Sequence, residues 1–345
     1  MEKFVFKSKA RVALSHRCNL KCVYCDNSRC NSADKIVSME DYRSTPISQG
    51  VISSADYIEI LSALYSNGFD KLNFTGGEPM LNSDWDLLVR EAKRIGFKSV
   101  EMTTNGTLIG KYLSQYYQFP EELDRLIVSI DTYDPIAYTE IVGANKSLDE
   151  IIQNIQLLKY RNPKLLLTAN CVLLQHARIN YDDYISFIAN LRFDSITFLD
   201  LVVRDLSKKE EVKYFEGEFL SGDIIKELIS EKYGELPIHD GRHSYNVILP
   251  NGLSIGLSDT KGLTRRDDLC DKCPCFCQEG LYTVRVATDG TISDCLSPFG
   301  IKINARESII RGTLKNDIKA IYKRIENGRL DYCFNKFRSL CQVAK

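Results

Sequence analysis

Short apolar runs alternate with longer segments of helical period over the first two thirds of the chain. The runs are rich in β-branched residues and predict six strands, at residues 11–15, 71–76, 99–105, 125–131, 165–174 and 195–202. Segments with apolar positions every three or four residues predict helices at 53–69, 83–96, 147–160 and 181–191. Ser53 and Ser83 are predicted N-caps, and Gly68 and Gly96 are predicted helix stops. This alternation predicts an α/β protein with a parallel sheet covered by helices.

The pattern changes after about residue 235. Residues 245–258 predict a hairpin around Asn251-Gly252, and residues 282–295 predict another around Asp289-Gly290. A last helix is predicted at 313–328. We therefore expect an α/β body at residues 1–235 and a smaller cysteine-rich region with hairpins at residues 236–345.

Composition and charge exclude several classes of protein. The 345 residues are 44% hydrophobic and carry 45 basic against 46 acidic side chains, for a formal net charge of −1. A balanced charge gives no general attraction to a nucleic acid polymer or to a membrane surface. No apolar stretch has the length of a membrane span or of a signal peptide core. The expectation is a cytoplasmic protein without a nucleic acid or membrane partner.

Cysteine usage changes this picture, because the chain has 12 cysteines and most of them are clustered. In a cytoplasmic protein such clusters are more often metal-binding than disulfide-bonded. The front cysteines, Cys18, Cys22 and Cys25, form a C-x3-C-x2-C unit just after the first predicted strand. Three thiolates can hold three corners of an iron–sulfur cube and leave its fourth iron open. Zinc is the alternative, although structural zinc sites usually show four protein ligands.

A glycine-rich turn follows the second predicted strand in the sequence FTGGEPML, residues 74–81. Gly76 and Gly77 allow a ligand to approach the backbone, and Glu78 adds a fixed carboxylate. A sharp connection between a strand and a helix would explain the glycines equally well. The combination with the front cysteines one strand earlier makes the pair a specific signal.

Together these motifs resemble the radical S-adenosylmethionine (radical SAM) superfamily over about residues 8–300. The resemblance implies a partial (β/α)6 TIM-type barrel in which the front cysteines bind a [4Fe-4S] cluster. It also implies that the open iron and a set of nearby residues bind S-adenosylmethionine (SAM). Those residues are Tyr24, Gly76, Gly77, Glu78, Pro79, Thr104, Asn105, Ser129, Asp131 and Asn170.

The same resemblance implies the chemistry. Reductive cleavage of SAM yields a 5′-deoxyadenosyl radical, which abstracts a hydrogen atom from the substrate, while the protein orients the reactants and excludes water. The electron is expected from an external reductant such as flavodoxin or ferredoxin. The resemblance does not identify the catalytic residues beyond the cofactor ligands.

The rear cysteines resemble the shortened auxiliary-cluster region called Twitch, which is related to the SPASM domain. We expect Cys270, Cys273, Cys277 and Cys295 to bind an auxiliary [4Fe-4S] cluster, with Cys275 as the alternative to one of them. Zinc binding by the same four cysteines is the competing interpretation.

Within the superfamily, the order of motifs is most similar to the GTP 3′,8-cyclases of molybdenum cofactor synthesis. Arg11, Thr103 and Arg285 match substrate-contacting positions of that family and are the candidate substrate ligands. Three other matching positions, where the cyclases carry cations, hold Asn73, Thr168 and Thr283. Since a charge-assisted contact contributes about 1.5–3 kcal/mol, we expect weak binding of GTP and a different substrate.

Two substrate classes are therefore considered for a radical SAM enzyme. One is a ribosomally made peptide, and the alternative is a nucleotide or phosphorylated metabolite in cofactor or natural-product biosynthesis. A regulator that keeps the fold and a metal but has no activity is a third hypothesis, which the intact Gly-Gly-Glu-Pro turn disfavours.

Overall fold

The computed structural model describes residues 9–25, 52–201, 209–234, 238–239, 244–258, 263–271, 280–295 and 300–332. The strands are β1 (Lys9–Ser15), β2 (Lys71–Gly76), β3 (Ser99–Thr104), β4 (Arg125–Ser129), β5 (Leu166–Val172), β6 (Ser195–Leu199), β7 (Ile238–His239), β8 (Ser244–Ile248), β9 (Ser254–Ser258), β10 (Leu263–Arg266), β11 (Thr283–Val286), β12 (Thr291–Ser293), β13 (Lys302–Asn304) and β14 (Arg329–Tyr332).

The helices in the same ranges are α1 (Ser54–Ser66), α2 (Trp85–Ile95), α3 (Ile109–Tyr116), α4 (Pro135–Val142), α5 (Leu148–Arg161), α6 (Tyr181–Asn190), α7 (Lys209–Glu218), α8 (Asp223–Tyr233), α9 (Asp268–Asp271), α10 (Ala305–Ile310) and α11 (Leu314–Asn327). Two short 3₁₀ turns, Pro79–Leu81 and Gln175–Ala177, follow β2 and β5. Across these ranges no helix has the length and apolar character needed to span a bilayer.

One large sheet organises the molecule. Its order is β13-β12-β11-β1-β2-β3-β4-β5-β6-β9-β8-β7, and β10 pairs with β14 in a separate ribbon. The eight consecutive strands from β11 to β9 in this order are parallel, and the outer strands on either side are antiparallel. Among the described residues no strand pairing joins β13 to β7. The sheet is therefore an open, partial barrel, as the family resemblance implied.

The six predicted strands and both hairpins are confirmed, with ends that differ by a few residues. The sequence did not predict that β9 and β11 join the parallel sheet, β9 beside β6 and β11 beside β1. Their pairing depends on contacts between residues far apart in the chain, which periodicity does not report. The division near residue 235 stays a prediction, although strands from both sides of it share this sheet.

Helix ends follow the sequence signals in most places. Ser53 caps α1 in a capping box with Asp56, and Gly96 ends α2 with a φ of +119°. Gly68 (φ +92°) comes directly after Asn67, the last residue of the α1 cap. The predicted N-cap at Ser83 is wrong, because α2 begins at Trp85 and its cap is Asp84, without a side-chain hydrogen bond.

Alternate strand positions face the helices and form the core. In β1 these are Ala10, Val12 and Leu14, and in β2 they are Leu72 and Phe74, all fully or nearly fully buried. The intervening positions of the parallel strands lie on the opposite, inward face of the partial barrel. That inward face and the carboxyl ends of the strands are where a ligand of such a sheet binds.

Candidate functional site

The front cysteines lie on a loop between β1 and the C-terminal end of α4. Lys21 N donates to Val142 O at 2.9 Å, and Val23 N donates to Ile141 O at 2.9 Å. Both acceptors are carbonyls in the last turn of a helix, which lack partners within the helix. A Cβ atom on Gly143, whose φ is +57°, would lie 2.5 Å from Lys21 O. The cysteine loop is thus held directly against the end of α4.

The three thiols have the donor chemistry that an iron–sulfur cluster requires. Cys18 and Cys22 are half-buried, and Cys25 is exposed. Burial raises the pKa of Cys18 to about 11 and the pKa of Cys22 still further, with the other thiols of the loop adding to the effect. Cys18 Sγ accepts hydrogen bonds from Leu20 N at 3.4 Å and from Asn105 Nδ2 at 3.6 Å. Such N–H···S bonds are typical of cluster-bound sulfurs.

The Gly-Gly-Glu-Pro turn is bonded to the chain segment that leads into the cysteine loop. Gly77 N donates to Ser15 O at 2.7 Å, and Glu78 N donates to Arg17 O at 2.7 Å. Gly76 has a φ of +139°, and a Cβ there would lie 2.3 Å from Ser15 O. Glycine is therefore required at this position by the close approach of two backbones. Pro79 follows as the first residue of a 3₁₀ turn.

The carboxylate of Glu78 is buried and organises its surroundings. Its oxygens accept hydrogen bonds from Met80 N (3.1 Å), Thr104 Oγ1 (2.8 Å) and Asn105 N (2.9 Å), and the residue has no exposed surface. Burial raises the pKa of Glu78 to about 7, although these three hydrogen bonds act in the opposite direction. Glu78 thereby joins the glycine turn to the end of β3.

Asn105 connects that strand end to the cysteine loop. Its Nδ2 donates to Asn19 Oδ1 at 2.9 Å as well as to Cys18 Sγ, and its Oδ1 accepts from Thr107 N at 3.0 Å. Asn19 Nδ2 donates in turn to Thr107 Oγ1 at 2.7 Å. Three of the sequence-predicted elements, the cysteines, the glycine turn and the end of β3, therefore form one hydrogen-bonded unit.

Tyr24, next to Cys25 in the cysteine loop, contacts Asp131, which follows β4. Tyr24 Oη donates to Asp131 Oδ2 at 2.7 Å, and Asp131 Oδ1 accepts from Val172 N at 2.8 Å. Burial raises the pKa of Asp131 to about 6. Ser129 and Asn170 are register partners on β4 and β5 at the same end of the sheet. The structure thus brings the predicted SAM ligands to one rim of the barrel, and their role as ligands stays a prediction.

The candidate substrate residues lie on the inward face. Arg285 of β11 pairs in register with Arg11 of β1, and the same row continues through Asn73 and Glu101 to Arg125 of β4. Thr103 lies one inward position further along β3, and Asn73 Nδ2 donates to its hydroxyl at 3.2 Å. The three residues predicted from the sequence are therefore on neighbouring strands of one surface.

Sequence reasoning missed three further cations on that surface. Lys9 and Lys71 precede Arg11 and Asn73 by two positions, so they share the inward face, and Arg125 lies on β4. Lys9 Nζ and Glu101 Oε2 form an ion pair at 2.5 Å. Burial disfavours the charged form of Glu101, but Lys9, then Arg125 and Lys71, keep its pKa below the ordinary value. The two-residue strand period was the signal that could have identified these positions.

The rear cysteines are only partly within the described residues. Cys270 lies in the short helix α9, and Cys295 comes two residues after the end of β12. Both side chains are half-buried. Cys273, Cys275 and Cys277 lie outside the described residues, so the predicted ligand set stays a prediction. Asp267 and Asp294, close to the two described cysteines, both bind Arg324 of α11, which the sequence analysis did not single out.

Comparison with known proteins agrees with this geometry. The GTP 3′,8-cyclase of Limosilactobacillus fermentum is 28% identical over 308 residues, covering 87% of this chain and 82% of the relative. A probable GTP 3′,8-cyclase of Sulfolobus acidocaldarius is 23% identical over 291 residues, covering 83% of this chain and 80% of the relative.

Among solved structures, SuiB of Streptococcus suis bound to S-adenosylmethionine has a TM-score of 0.54 at 16% identity, a likeness of fold. The match covers 92% of this chain and 64% of the SuiB chain, so this chain spans less than two thirds of that protein. The model of the radical SAM superfamily matches residues 12–187, which include the front cysteines, the glycine turn and the rim residues. The protein belongs to the radical SAM superfamily and is a radical SAM enzyme.

Proposed function

We propose that this radical SAM enzyme acts on an anionic small molecule, a nucleotide or phosphorylated metabolite, bound on the inward face of the partial barrel. Cys18, Cys22 and Cys25 would hold the front cluster, which together with SAM would supply the radical chemistry that removes a hydrogen atom from the substrate. The residues of this chain would hold the substrate's anionic group on the strands below the cysteine loop. The rear cysteines would bind an auxiliary [4Fe-4S] cluster.

The observation that carries this proposal is the pairing of Arg11 with Arg285. Two cations at directly adjacent positions of neighbouring strands repel each other, and an anion between them removes the repulsion. Within the eight parallel strands, the charged inward positions are Lys9, Arg11, Lys71, Arg125, Arg285 and the single carboxylate of Glu101. These strand positions thus carry five cations and one carboxylate, which binds Lys9.

The same surface argues against GTP as the preferred substrate. Asn73 has a neutral side chain and therefore offers no charge to a phosphate. It is 4% exposed and forms a hydrogen bond with Thr103. Thr168 is 5% exposed and accepts from Arg125 Nη1 at 2.7 Å. Arg125 also donates to Ser195 Oγ at 3.1 Å, so a cation from β4 reaches the β5 and β6 positions. The arrangement of cations differs from the one that the cyclase resemblance implies.

The peptide substrate expected from the sequence stays an untested prediction. No feature of the described residues favours a peptide as specifically as the paired arginines favour an anion. The auxiliary cluster and the reductant, flavodoxin or ferredoxin, likewise remain part of the proposal. The peptide hypothesis and the small-molecule hypothesis share the same SAM chemistry, so one assay can compare them.

The test uses anaerobically reconstituted protein with SAM and dithionite, and measures 5′-deoxyadenosine. Nucleosides and sugars are compared with their phosphorylated forms, and GTP is included. We expect the phosphorylated forms to stimulate cleavage more than their neutral counterparts, and GTP to stimulate weakly. Arg11→Gln and Arg285→Gln should each raise the KM for the active compound roughly tenfold to a hundredfold, as expected for a charge-assisted contact.

Arg90→Gln is the matched control, because Arg90 lies on the outer helix α2, half of its side chain is exposed, and it forms an ion pair with Glu122 at 3.2 Å. It should leave the KM unchanged. Stimulation by an uncharged peptide, with both inward-face variants behaving as wild type, would overturn the proposed substrate class. Cleavage of SAM without any dependence on phosphate in the substrate would do the same.

A further inference from the structure

A buried arginine joins the two described segments that carry the rear cysteines. Arg324 Nε and Nη2 donate to Asp267 Oδ2 at 2.5 Å and Oδ1 at 3.0 Å, a two-point contact. Its Nη1 donates to Asp294 Oδ2 at 2.6 Å. The Arg324 side chain is 9% exposed and that of Asp294 has no exposed surface. The guanidinium group therefore links two carboxylates from different segments, of which Asp294 is fully buried and Asp267 is 24% exposed.

Each of these carboxylates is close to one predicted cluster ligand. Asp267 Oδ1 accepts from Cys270 N at 3.0 Å. Asp294 directly precedes Cys295, and its Oδ1 accepts from Ile301 N at 3.0 Å. Movement of either carboxylate would therefore move the neighbouring cysteine.

The arginine is itself fixed to the barrel. Helix α11 buries Leu314, Ile318, Ile321 and Ile325 in the main core. Tyr322 of the same helix packs edge-on against Phe69, with ring centroids 5.4 Å apart. Arg324 thus connects the cysteine-bearing segments to a rigid helix as well as to each other.

We infer that Arg324 is a positioning residue for the auxiliary metal site, holding the Cys270 and Cys295 segments at the separation that a cluster requires. This inference rests on the proposed auxiliary cluster. A planar guanidinium has donors for two carboxylates in fixed directions, whereas a lysine ammonium is a single point charge. Residues that orient the ligands of a metal commonly determine its retention, although they do not touch it.

The test isolates the rear site by replacing the front cysteines, Cys18, Cys22 and Cys25, with alanine. After anaerobic reconstitution, iron and acid-labile sulfide per chain, with the EPR spectrum of the reduced protein, then report on the rear site alone. In this background Arg324→Met should lose most of the bound iron. Arg324→Lys should retain an intermediate amount, since lysine reaches one carboxylate at a time.

Two variants separate positioning from general loss of structure. Arg324→Met combined with Asp294→Asn removes the buried charge left without its partner, so it should fold by circular dichroism while still losing iron. Arg329→Met removes an exposed arginine that binds Asp268 and Asp271 on the same turn as Cys270. This matched control should keep the iron of the parent.

The outcomes are distinguishable. If the parent lacking the front cysteines binds no iron, the auxiliary cluster itself is refuted, and this inference with it. If the parent binds iron and the folded Arg324 double variant retains all of it, the cluster stands and the positioning role is refuted. Equal losses in the Arg324 and Arg329 variants would also refute it. Selective loss at Arg324 supports it.

Discussion

Replacing Gly76 by alanine should separate the glycine turn from the segment that leads into the cysteine loop. Gly76 has a φ of +139°, and the added methyl carbon would lie 2.3 Å from Ser15 O and 3.0 Å from Ser15 N. Both are backbone atoms of β1, which cannot rotate away as a flexible side chain could. The two chain segments must therefore move apart.

The magnitude follows from the contacts that this movement breaks. The hydrogen bonds from Gly77 N to Ser15 O and from Glu78 N to Arg17 O, both 2.7 Å, would be lost or stretched. Each contributes a net ~1 kcal/mol, and the positive φ costs a non-glycine residue about 1–3 kcal/mol. We expect the free energy of unfolding to fall by about 3–5 kcal/mol, a large part of the roughly 5–15 kcal/mol of a typical domain.

The assay has two parts. Urea unfolding of the metal-free protein, followed by circular dichroism, gives the loss of stability. Iron bound after anaerobic reconstitution shows whether the cysteine loop still holds a cluster, and we expect a decrease. Gly252→Ala is the control, because Gly252 has a φ of +86° but no atom lies within 4 Å of its added Cβ. It should lose only about 1 kcal/mol from backbone strain.

An equal effect of the two substitutions would refute the reasoning, since it would mean that the close approach to Ser15 contributes nothing. Full retention of iron by a destabilised Gly76→Ala protein would refute the second part, namely that the turn positions the cysteine loop.

Three further predictions concern the same site. Gly143→Ala places a methyl carbon 2.5 Å from a backbone carbonyl of the cysteine loop, so iron bound after reconstitution should fall; unchanged iron content would contradict this. The pKa of Glu78, about 7, exceeds its unfolded value of 4.5. The folded state therefore holds this proton more tightly, and the stability contribution, about 3 kcal/mol, is complete below pH ~4.5 and lost as the pH rises through ~7. Thermal unfolding of the metal-free protein against pH should show this slope and Glu78→Gln should not; equal slopes would contradict it. Tyr24→Phe removes the 2.7 Å hydrogen bond to the buried Asp131 carboxylate and should lower the free energy of unfolding by about 1.5–3 kcal/mol in urea titrations, whereas Tyr160→Phe, at an 80% exposed position, should not.

Local signals predicted most elements of the barrel. The strand β2 was predicted with its observed ends, and the cap at Ser53 is a side-chain hydrogen bond made within four residues. The N-cap predicted at Ser83 is wrong, because the helix begins at Trp85 and Asp84 is its cap. The Asp84 carboxylate accepts a hydrogen bond from Ser54 Oγ of α1 and does not cap α2, and such a contact between helices is not reported by local capping signals.

The site was predicted as a set of motifs but not as a network. The spacing of the front cysteines and the Gly-Gly-Glu-Pro turn indicated the family, yet the turn's first glycine is required by a contact with β1. Glu78 was expected to serve a ligand, and the structure shows it accepting three hydrogen bonds from its own chain. A motif records which residues recur, whereas their partners depend on which strands become neighbours.

By itself the sequence determined where most strands and helices lie, that the front cysteines form a metal-binding motif, and that the chain belongs to the radical SAM superfamily. These properties depend on residues close together in the chain. Tertiary structure decided that β9 and β11 extend the parallel sheet, that Arg11 lies beside Arg285, and that Arg324 joins Asp267 to Asp294. Arg324 and Asp267 are 57 residues apart, and such pairings form only when the whole chain packs. The two-residue repeat of a strand shows on which face of the sheet a side chain lies. Which residue lies beside it on the neighbouring strand is decided only when the chain folds.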